Sequence, residues 1–538
     1  MRYTVLLKLV ASLFILIVVL IFSACNNGES GKVAAVAKDT IPETQQDLSI
    51  PGSFSTQTSL KFDSVALIKF IDSFSKFKAF EADVIKFYKQ RNYAYAWFDE
   101  NGLIETANNI YNRVINISEE GLPDKIPYKE KFVEVMDSAN TSTPSAFTDL
   151  MLTFQYLAYA DYAWQGINEK QAKAMEWLLP RKKLNYNQLL DSLSNKTFDD
   201  EPVYRQYALL RSELKKLNDI KTKNELPIIK TDLKKIIAGD SNAVVLSIRK
   251  WLYTMGDLKE DNKSEMFDNS LTGAVKSFQE RMGLKNDGVI GAGVINEMNI
   301  PLEKRIESIM VNMERSRWVP VSLEKDYLLV NIPDYKLYVF ENDTIAFGMN
   351  VVVGTEQTKT VIFNGDLKYV VMSPYWYIPA SIIKKEITPG IKRNPNYLAN
   401  HNMEWNGGNV RQKPGPKNSL GLVKFLFPNS HSIYLHDTPS KSLFGETNRA
   451  FSHGCIRVSE PKKLAVYLLR NNPKWNEAAI TTAMNSGKEQ SVTLSKTIPV
   501  FIAYFTSWVD RNGRLNFRKD VYNRDNRLAK LILDKPSI

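Results

Sequence analysis

The spacing of hydrophobic residues in this 538-residue chain changes from a helical period to a strand period between residues 300 and 326. Residues 61–235 carry apolar side chains at intervals of three and four, as amphipathic helices do. Residues 240–300 repeat that spacing in a smaller unit, whereas residues 326–373 alternate apolar and polar side chains, as half-buried strands do. At about 150 residues per domain the length predicts three or four units. We therefore expect a multidomain α+β protein.

The first unit, residues 61–235, is predicted to be a helical scaffold domain, with helices at 65–80, 82–91, 146–163 and 200–217. The segment is rich in aromatic side chains: Tyr88, Tyr93, Tyr95, Trp97, Tyr156, Tyr159, Tyr162 and Trp164. A sugar-binding surface is one interpretation of this set. Packing between helices is the interpretation that we favour, and no cluster in this segment suggests chemistry.

The second unit, residues 240–300, is predicted to contain three short helices. One covers 244–253, a second carries the apolar stripe from Leu271 to Met282 with Asp268 or Ser270 as its N-cap, and a third opens at 294–298. The run FQERMGLKNDGVIG resembles the three-helix peptidoglycan-binding domain. That resemblance implies targeting to the cell wall, and a structural spacer is the alternative.

The third unit, residues 326–535, is predicted to be β-rich. Strands are expected at 327–332, 336–340, 345–353, 368–372, 432–436, 501–509 and 514–518. Between them lies an irregular stretch at about 374–420. A loop of that length inside a compact domain is usually a lid or a substrate-binding loop, and a disordered insertion is the alternative.

The N-terminus predicts export. Arg2 and Lys8 precede the apolar run 9–22, which ends in small residues before Cys25. An uncleaved membrane anchor is the alternative to a signal peptide at 1–25. The Phe-Ser-Ala-Cys end resembles a bacterial lipobox, which implies cleavage before Cys25 and lipidation of its thiol. Residues 26–60 are polar and small, as a flexible tether is.

The predicted export changes which anionic partner is expected for a chain with a net charge of +11. A basic chain most often binds nucleic acid. We expect no nucleic-acid partner here, because the chain is predicted to lie in the cell envelope, on the periplasmic side, held to a membrane by lipid. An anionic partner outside the cytoplasm fits the charge better. The alternative is that the charge serves only to keep the protein soluble.

Two Cys and four His exclude several classes of protein. They are too few for a disulfide-stapled scaffold, a Cys-based zinc or iron–sulfur domain, or a His-rich metal site. We expect no metal and no cofactor. If Cys25 carries lipid, Cys455 is a thiol without a disulfide partner, which is rare in an exported protein without a reason.

The reason is suggested by the run from 433 to 461, IYLHDTPSKSLFGETNRAFSHGCIRVSEP. Imidazole at His436 or His453 can serve as the base that a Cys455 nucleophile needs. Gly454 allows close approach of a substrate and can offer a backbone N–H to an oxyanion. Ser-Glu-Pro at 459–461 predicts a helix start just after Cys455, whose dipole would favour the thiolate modestly.

Chain order separates the known classes of Cys–His enzyme. Papain-like and NlpC-type peptidases place Cys before His, but no His follows Cys455. A sortase places His first and remains the runner-up, although its Thr-Leu-x-Thr-Cys strand is absent. The run resembles the YkuD-type L,D-transpeptidase signature: His436, fifteen intervening residues, then Ser-His-Gly-Cys-Ile-Arg at 452–457. The whole arrangement resembles the YcbB-like subgroup, except for its lipobox.

The resemblance implies roles for the residues of this run. Cys455 would be the nucleophile and His436 the base, oriented by a backbone carbonyl; His453 is the rival base. Arg457 would bind a carboxylate of a peptidoglycan stem peptide or stabilise the loop that carries Cys455. Tyr434, Ser452 and Trp376 are candidate substrate contacts. Asp437 is rejected as a triad acid, because neighbours along a strand point to opposite faces.

The function implied is formation of peptidoglycan cross-links between the third residues of stem peptides, through a thioester and with release of D-Ala. Two alternatives remain at this point. The same Cys could act as a carboxypeptidase or endopeptidase with water as acceptor, or the chain could be a wall-binding scaffold without catalysis. Partner proteins are not predictable from the sequence.

Overall fold

The computed structural model describes residues 52–138, 142–195, 201–320 and 325–534. The predicted signal peptide with its lipidation site Cys25, and most of the predicted tether, lie outside the described residues. Within the described ranges, the helices are all too short or too polar to cross a membrane.

The N-terminal region is helical. Its α-helices are α1 Ser64–Ser73, α2 Glu81–Gln90, α3 Glu105–Ile115, α4 Lys129–Ser138, α5 Ala146–Ala160, α6 Glu169–Ala174, α7 Tyr186–Asn195 and α8 Gln206–Lys223. Short 3-10 helices at Ser75–Phe80 and Ile117–Glu120, a π-helical turn at Asp161–Gln165, and the paired strands β1 Phe98–Asp99 and β2 Gly102–Leu103 complete it. The helix predicted at 65–80 is broken at Phe74, whose φ and ψ of −123° and 63° are not helical.

The aromatic side chains of this region form its core. Tyr88, Trp97 and Trp164 are fully buried. The buried Asp149 carboxylate accepts hydrogen bonds from the Trp97 backbone N–H at 2.8 Å and the Tyr88 hydroxyl at 2.6 Å. Burial raises the pKa of Asp149 to about 6, although these hydrogen bonds oppose the shift. The packing interpretation therefore fits the set, because seven of its eight aromatic side chains are buried and the eighth, Tyr93, packs partly buried against them.

The small unit has the three predicted helices. They are α9 Val244–Thr254, α10 Asn269–Arg281 and α11 Ala292–Met298, with β3 Lys235–Ile236 paired to β4 Ile290–Gly291. Asp268 is the N-cap of α10, since its carboxylate accepts from Leu271 N–H at 2.8 Å. Trp251 and Phe278 pack edge to face across the first two helices, with ring centroids 5.0 Å apart.

A long helix that the sequence analysis did not predict follows. This helix, α12, spans Leu302–Trp318 and is buried along its C-terminal half, charged residues included. Arg317 donates to the carbonyl oxygens of Ala163 and Glu120 in the helical region, each at 2.7 Å. Arg315 pairs at 2.7 Å with Asp525, near the end of the chain. Because buried charges interrupt its apolar face, the helix lacks the stripe that periodicity detects.

The C-terminal region is built on a nine-stranded sheet. Its strands are β5 Tyr327–Asn331, β6 Lys336–Glu341, β7 Thr344–Gly354, β8 Asn364–Met372, β12 Val423–Leu426, β13 Leu435–His436, β14 Ala450–Ser452, β15 Ile456–Val458 and β16 Gln490–Ala503, interrupted in sequence by β9 Trp376–Tyr377, β10 Met403–Asn406 and β11 Asn409–Gln412. The strand order is β14-β7-β15-β13-β12-β8-β16-β5-β6, and β6 also pairs with β7. Most neighbours are antiparallel, but β13–β15, β14–β7 and β16–β5 are parallel.

The stretch at 374–420 is not irregular, so that prediction is wrong. It contains a three-stranded sheet in the order β10-β11-β9. It also contains the helices α13 Ala380–Ile382, α14 Thr388–Arg393 and α15 Tyr397–Asn400 and a π-helical turn at Ile383–Ile387. A separate hydrophobic cluster holds it together: Ile378, Ile382, Ile387, Met403 and Val410. We call residues 374–420 the lid subdomain.

The chain ends in a segment that returns to the other domains. After α16 Pro461–Leu469, α17 Glu477–Met484 and β16, the hairpin β17 Ser507–Val509 and β18 Leu515–Phe517 leads to α18 Asp525–Leu533. The strand predicted at 501–509 is thus two strands. Arg281 of α10 donates to Leu515 O at 3.2 Å, and Arg518 donates to Arg281 O at 2.8 Å. The small unit is therefore docked on the C-terminal hairpin.

We expect Glu120→Gln to destabilise the helical region, because its buried carboxylate compensates Arg211 at 2.8 Å and accepts from the Tyr159 hydroxyl at 2.9 Å. Removing one partner of a buried ion pair costs about 3 kcal/mol. The free energy of urea unfolding, followed by tryptophan fluorescence, checks this. The matched control is Glu134→Gln, which removes an exposed pair with Lys131 and should change stability by less than about 0.5 kcal/mol. Equal unfolding curves for both variants would contradict the expectation.

Candidate active site

Two short parallel strands position the residues that the sequence analysis singled out. The register of β13 and β15 pairs His436 with Arg457. A backbone hydrogen bond of 3.1 Å from Ile456 N–H to Tyr434 O extends the pairing, so that Tyr434 lies opposite Cys455. Because side chains alternate along a strand, these four side chains project from one face of the strand pair.

The Cys455 thiol is half-buried, and its Sγ lies 3.6 Å from Ser432 O. The Tyr434 side chain lies close to this sulfur. Burial raises the pKa of the Cys455 thiol, while the hydrogen bonds with Tyr434 and the charge of Arg457 act in the opposite direction. The resting group is therefore a thiol, which needs a base to become a nucleophile.

The His436 imidazole is buried, with 5% exposure, and its Nδ1 lies 2.5 Å from Asp437 O. Burial, followed by the nearby charge of Arg457, lowers the pKa of His436 to about 3, so the ring is neutral. A carbonyl can only accept, so Nδ1 carries the proton and Nε2 keeps a free lone pair. Within the described ranges, no hydrogen bond joins the imidazole to the Cys455 thiol. Strand spacing places the two Cα atoms roughly 8 Å apart.

The carboxylate of Asp437 lies on the opposite face from the imidazole, as the alternation along the strand predicts. It accepts hydrogen bonds from the backbone N–H groups of Leu422 at 2.9 Å and Thr438 at 2.7 Å, and it pairs with Lys441. The orienting group for His436 is thus the carbonyl of Asp437 and not its side chain.

Ser452 stabilises the Cys loop, which we define as residues 452–455. The Ser452 hydroxyl donates to Cys455 O at 2.6 Å and accepts from Gly454 N–H at 3.2 Å. Gly454 has a φ of +114°, which favours glycine. The Gly454 N–H predicted as an oxyanion donor is therefore already engaged. The Cys455 N–H has no hydrogen-bond partner among the residues that the structure describes.

The second imidazole of the motif points elsewhere. The His453 side chain is 58% exposed, and its Nε2 lies 3.2 Å from Glu386 Oε1 in the lid subdomain. The structure therefore brings His453 to the lid and His436 to the strand pair that carries Cys455.

Arg457 and Trp376 complete the predicted set. Arg457 makes no ion pair with the described part of the chain, and its buried Nε lacks a hydrogen-bond partner there. Burial lowers the pKa of Arg457. Trp376, on β9 of the lid subdomain, lies near the Tyr434 hydroxyl. The lid subdomain thus reaches the site at two places, Trp376 and Glu386.

The helix start predicted at 459–461 is confirmed, since α16 begins at Pro461, and the effect of its dipole on the thiol stays a prediction. Strand β15 separates the thiol from α16, which begins at Pro461. The residues directly after Cys455 pair with β13 and β7, because apolar Ile456 and Val458 are buried in the sheet.

Sequence reasoning also missed residues at the site. Lys424 on β12 lies opposite His436, Glu386 contacts His453, and Thr360 hydrogen-bonds to the Cys loop. Each comes from a segment distant in sequence and without a motif, so no local signal could identify it. Across the described ranges, no group of three or more His, Cys, Asp or Glu is arranged to hold a metal ion.

Comparisons with known proteins agree with this arrangement of domains. The family description "L,D-transpeptidase catalytic domain" (YkuD) matches residues 325–477. The "Scaffold domain" matches residues 82–214, and the "Putative peptidoglycan binding domain" matches residues 241–298. A curated relative from Haemophilus influenzae, named "Putative L,D-transpeptidase", is 33% identical over 258 residues, which are 43% of this chain and 51% of the relative. The chain thus spans about half the length of the curated relative it matches.

Solved structures match this chain at lower sequence identity. An L,D-transpeptidase from Mycobacterium smegmatis has a TM-score of 0.20 at 12% identity, covering 33% of this chain and 58% of the other. One from Stackebrandtia nassauensis has a TM-score of 0.23 at 15% identity, covering 52% of this chain and 96% of the other. Residues 325–477 are a YkuD L,D-transpeptidase catalytic domain, which this chain carries together with a scaffold domain and a peptidoglycan-binding domain.

Proposed function

We propose that this protein forms cross-links between the third residues of peptidoglycan stem peptides, through a thioester on Cys455 and with release of D-Ala. One observation carries the proposal. A single thiol lies on the same strand-pair face as a neutral imidazole with a free Nε2, within an L,D-transpeptidase catalytic domain.

In the first step, His436 Nε2 accepts the Cys455 proton while Sγ attacks the carbonyl carbon of the third residue of the donor stem. The new S–C bond forms as the C–N bond to D-Ala breaks. The imidazolium returns its proton to the leaving amine. Because burial disfavours charge on both the thiol and the imidazole, proton transfer and attack are expected to occur together.

In the second step, the amine of an acceptor stem attacks the thioester. His436 accepts a proton from this amine, the new amide C–N bond forms as the S–C bond breaks, and the imidazolium returns the proton to sulfur to restore the thiol. Water in place of the amine would make the enzyme a carboxypeptidase. Acceptor choice depends on the shape of the site beneath the lid subdomain.

Arg457 is proposed to bind a carboxylate of the donor stem. Its guanidinium faces the thiol and lacks an ion-pair partner in the described residues, so a substrate carboxylate would satisfy it. Tyr434 and Trp376 are proposed to border the donor stem, because Tyr434 lies opposite Cys455 on the strand pair and Trp376 of the lid subdomain lies near the Tyr434 hydroxyl. Ser452 is proposed to act as a brace of the Cys loop, since both of its hydrogen bonds stay within that loop.

The location and the domain limits are also proposals. Domains concerned with peptidoglycan indicate the cell envelope. We propose lipidation at Cys25, a tether at 26–60, a scaffold at 61–235, a wall-binding unit at 240–300 and a catalytic unit at 326–535. Mass analysis of the protein purified from membranes tests the proposed lipidation of Cys25. A mass that matches the unmodified full chain would contradict it.

The purified full-length protein, incubated with a disaccharide-tetrapeptide, is expected to yield a cross-linked dimer that lacks one D-Ala. Incubation with a carbapenem is expected to add the mass of one carbapenem. Both results should be lost in Cys455→Ala, since no other described thiol is present. Mass spectrometry of the products and of the intact protein checks them.

Each other outcome has a meaning. A carbapenem adduct with only a trimmed tripeptide would make the protein a carboxypeptidase. No adduct and no product from a folded protein would favour a wall-binding scaffold. Activity abolished by a chelator would contradict a mechanism without a metal.

The pH profile of carbapenem acylation should lack a break near the ordinary imidazole pKa. His436 acts as a base only when neutral, and its pKa is lowered to about 3. We therefore expect a nearly constant rate from about pH 8 to about pH 5, with loss only below that range. Intact-mass time courses across this range measure it. A fall in rate centred between about pH 6 and 7 would show that the imidazole is not held neutral.

Tyr434→Phe should make the thiol harder to ionise. The Tyr434 hydroxyl stabilises the thiolate, and loss of a hydrogen bond to a charged group is expected to move the alkylation profile of Cys455 upward by about one pH unit. Iodoacetamide alkylation as a function of pH measures this. Tyr375→Phe, on the same segment as Trp376, is the matched control and should leave the profile unchanged; equal shifts in both variants would contradict the assignment.

A further inference from the structure

Thr360 is a fully buried threonine whose side chain touches the Cys loop. Its hydroxyl donates to Gly454 O at 2.8 Å and accepts from Gly354 N–H at 2.9 Å. Both bonding directions of the hydroxyl are thus fixed, one toward the Cys loop and one toward the end of β7. The neighbouring Thr358 hydroxyl donates to Ser452 O at 2.8 Å, so the same turn holds the loop at two carbonyls.

The bond to Gly454 O determines where the next N–H points. A trans peptide is planar, and its C=O and N–H point in opposite directions. The peptide that joins Gly454 to Cys455 therefore aims the Cys455 N–H away from Thr360. That N–H lacks a partner among the described residues, whereas Gly454 N–H is taken by Ser452. A free N–H on the nucleophilic residue is placed to stabilise an oxyanion.

Thr360 is itself held from the far end of the chain. The buried Tyr522 hydroxyl donates to Gly354 O at 2.8 Å and accepts from Thr360 N–H at 3.1 Å. Tyr522 lies beyond the segment 325–477 that matches the catalytic family. Its own backbone N–H donates to the Tyr504 hydroxyl at 2.8 Å.

The turn from Gly354 to Thr360 is too tight for a side chain at its start. A Cβ on Gly354 would lie 2.0 Å from Thr358 O and 2.8 Å from Thr360 N. The glycine thus lets the two ends of the turn approach closely enough for Tyr522 to bridge them.

We propose that Thr360, held by Tyr522, is a positioning residue that fixes the Gly454–Cys455 peptide so that Cys455 N–H stabilises the oxyanion of the acylation step. This inference rests on the proposed function, since it needs acyl transfer at Cys455. It assigns part of the catalytic geometry to the C-terminal segment, outside the matched catalytic domain.

The test compares two reactions of the same thiol in the full-length protein. Carbapenem acylation forms an S–C bond at a carbonyl and passes through an oxyanion, whereas iodoacetamide alkylation displaces iodide and forms none. Thr360→Val keeps the shape and removes the hydroxyl. We expect its acylation rate constant to fall roughly 10- to 100-fold, because a misaimed donor loses much of its effect. Alkylation should stay within about twofold of the wild type, since the sulfur is untouched.

Thr360→Ser restores the hydroxyl and should recover most of the acylation rate, while Tyr522→Phe should lower acylation by roughly threefold to tenfold with alkylation unchanged. If Thr360→Val does not fold, Tyr522→Phe still decides, because it removes the hydroxyl that holds Thr360 and keeps the Thr360 hydroxyl with its own bonds to Gly354 and Gly454. Both measurements use intact mass.

Two outcomes would overturn the inference. One is acylation at the wild-type rate in both Thr360→Val and Tyr522→Phe. The other is an equal loss of acylation and alkylation, which would indicate a disordered site and not a misaimed donor. A wild-type protein that alkylates but is neither acylated nor productive would instead overturn the proposed function, and this inference with it.

Discussion

Buried charge on α12 joins the domains of this protein. Arg317 reaches carbonyl oxygens of the helical region, Arg315 reaches Asp525, and Arg305 pairs with Glu297 of the small unit at 3.3 Å. Each guanidinium is almost fully buried, so each must keep its partners or leave a charge uncompensated. The three domains therefore hold one arrangement, and the sheet that carries Cys455 is built against this fixed frame.

The sequence predicts the domain order and most of the helices and strands, because amphipathic spacing repeats locally. The prediction fails where the buried residues of an element do not follow a regular spacing of apolar residues in the sequence. Helix α12 is missed since its buried Arg and Glu residues look like an exposed face, although partners distant in sequence compensate them. The lid subdomain is missed because its hydrophobic cluster gathers single apolar residues, such as Ile378 and Val410, from short elements with no repeating pattern.

In the active site, too, some features are predictable from a local motif and others depend on residues distant in sequence. His436 and Cys455 are predictable from a motif, since both lie within one run and their roles follow from their chemistry. The tautomer of His436 depends on a carbonyl, and the orientation of Cys455 N–H depends on Thr360, which is 95 residues away in sequence. Contacts of this kind follow from the topology of the sheet. The helix start at Pro461 is predictable from the local Ser-Glu-Pro signal, whereas the three-residue strand between Cys455 and that helix has no such local signal.

The docking of the small unit on the C-terminal hairpin has a consequence for how a polymer would be handled. Arg281 and Arg518 each donate a hydrogen bond across this contact, and Arg514 pairs with Glu280 at 3.0 Å. These bonds fix the small unit against the C-terminal hairpin. A flexible linker would let two modules search a range of separations; a rigid joint allows one. With wall binding by the small unit as proposed above, a bound polymer would lie at a fixed distance from the thiol, and that distance would set the spacing of the cross-links.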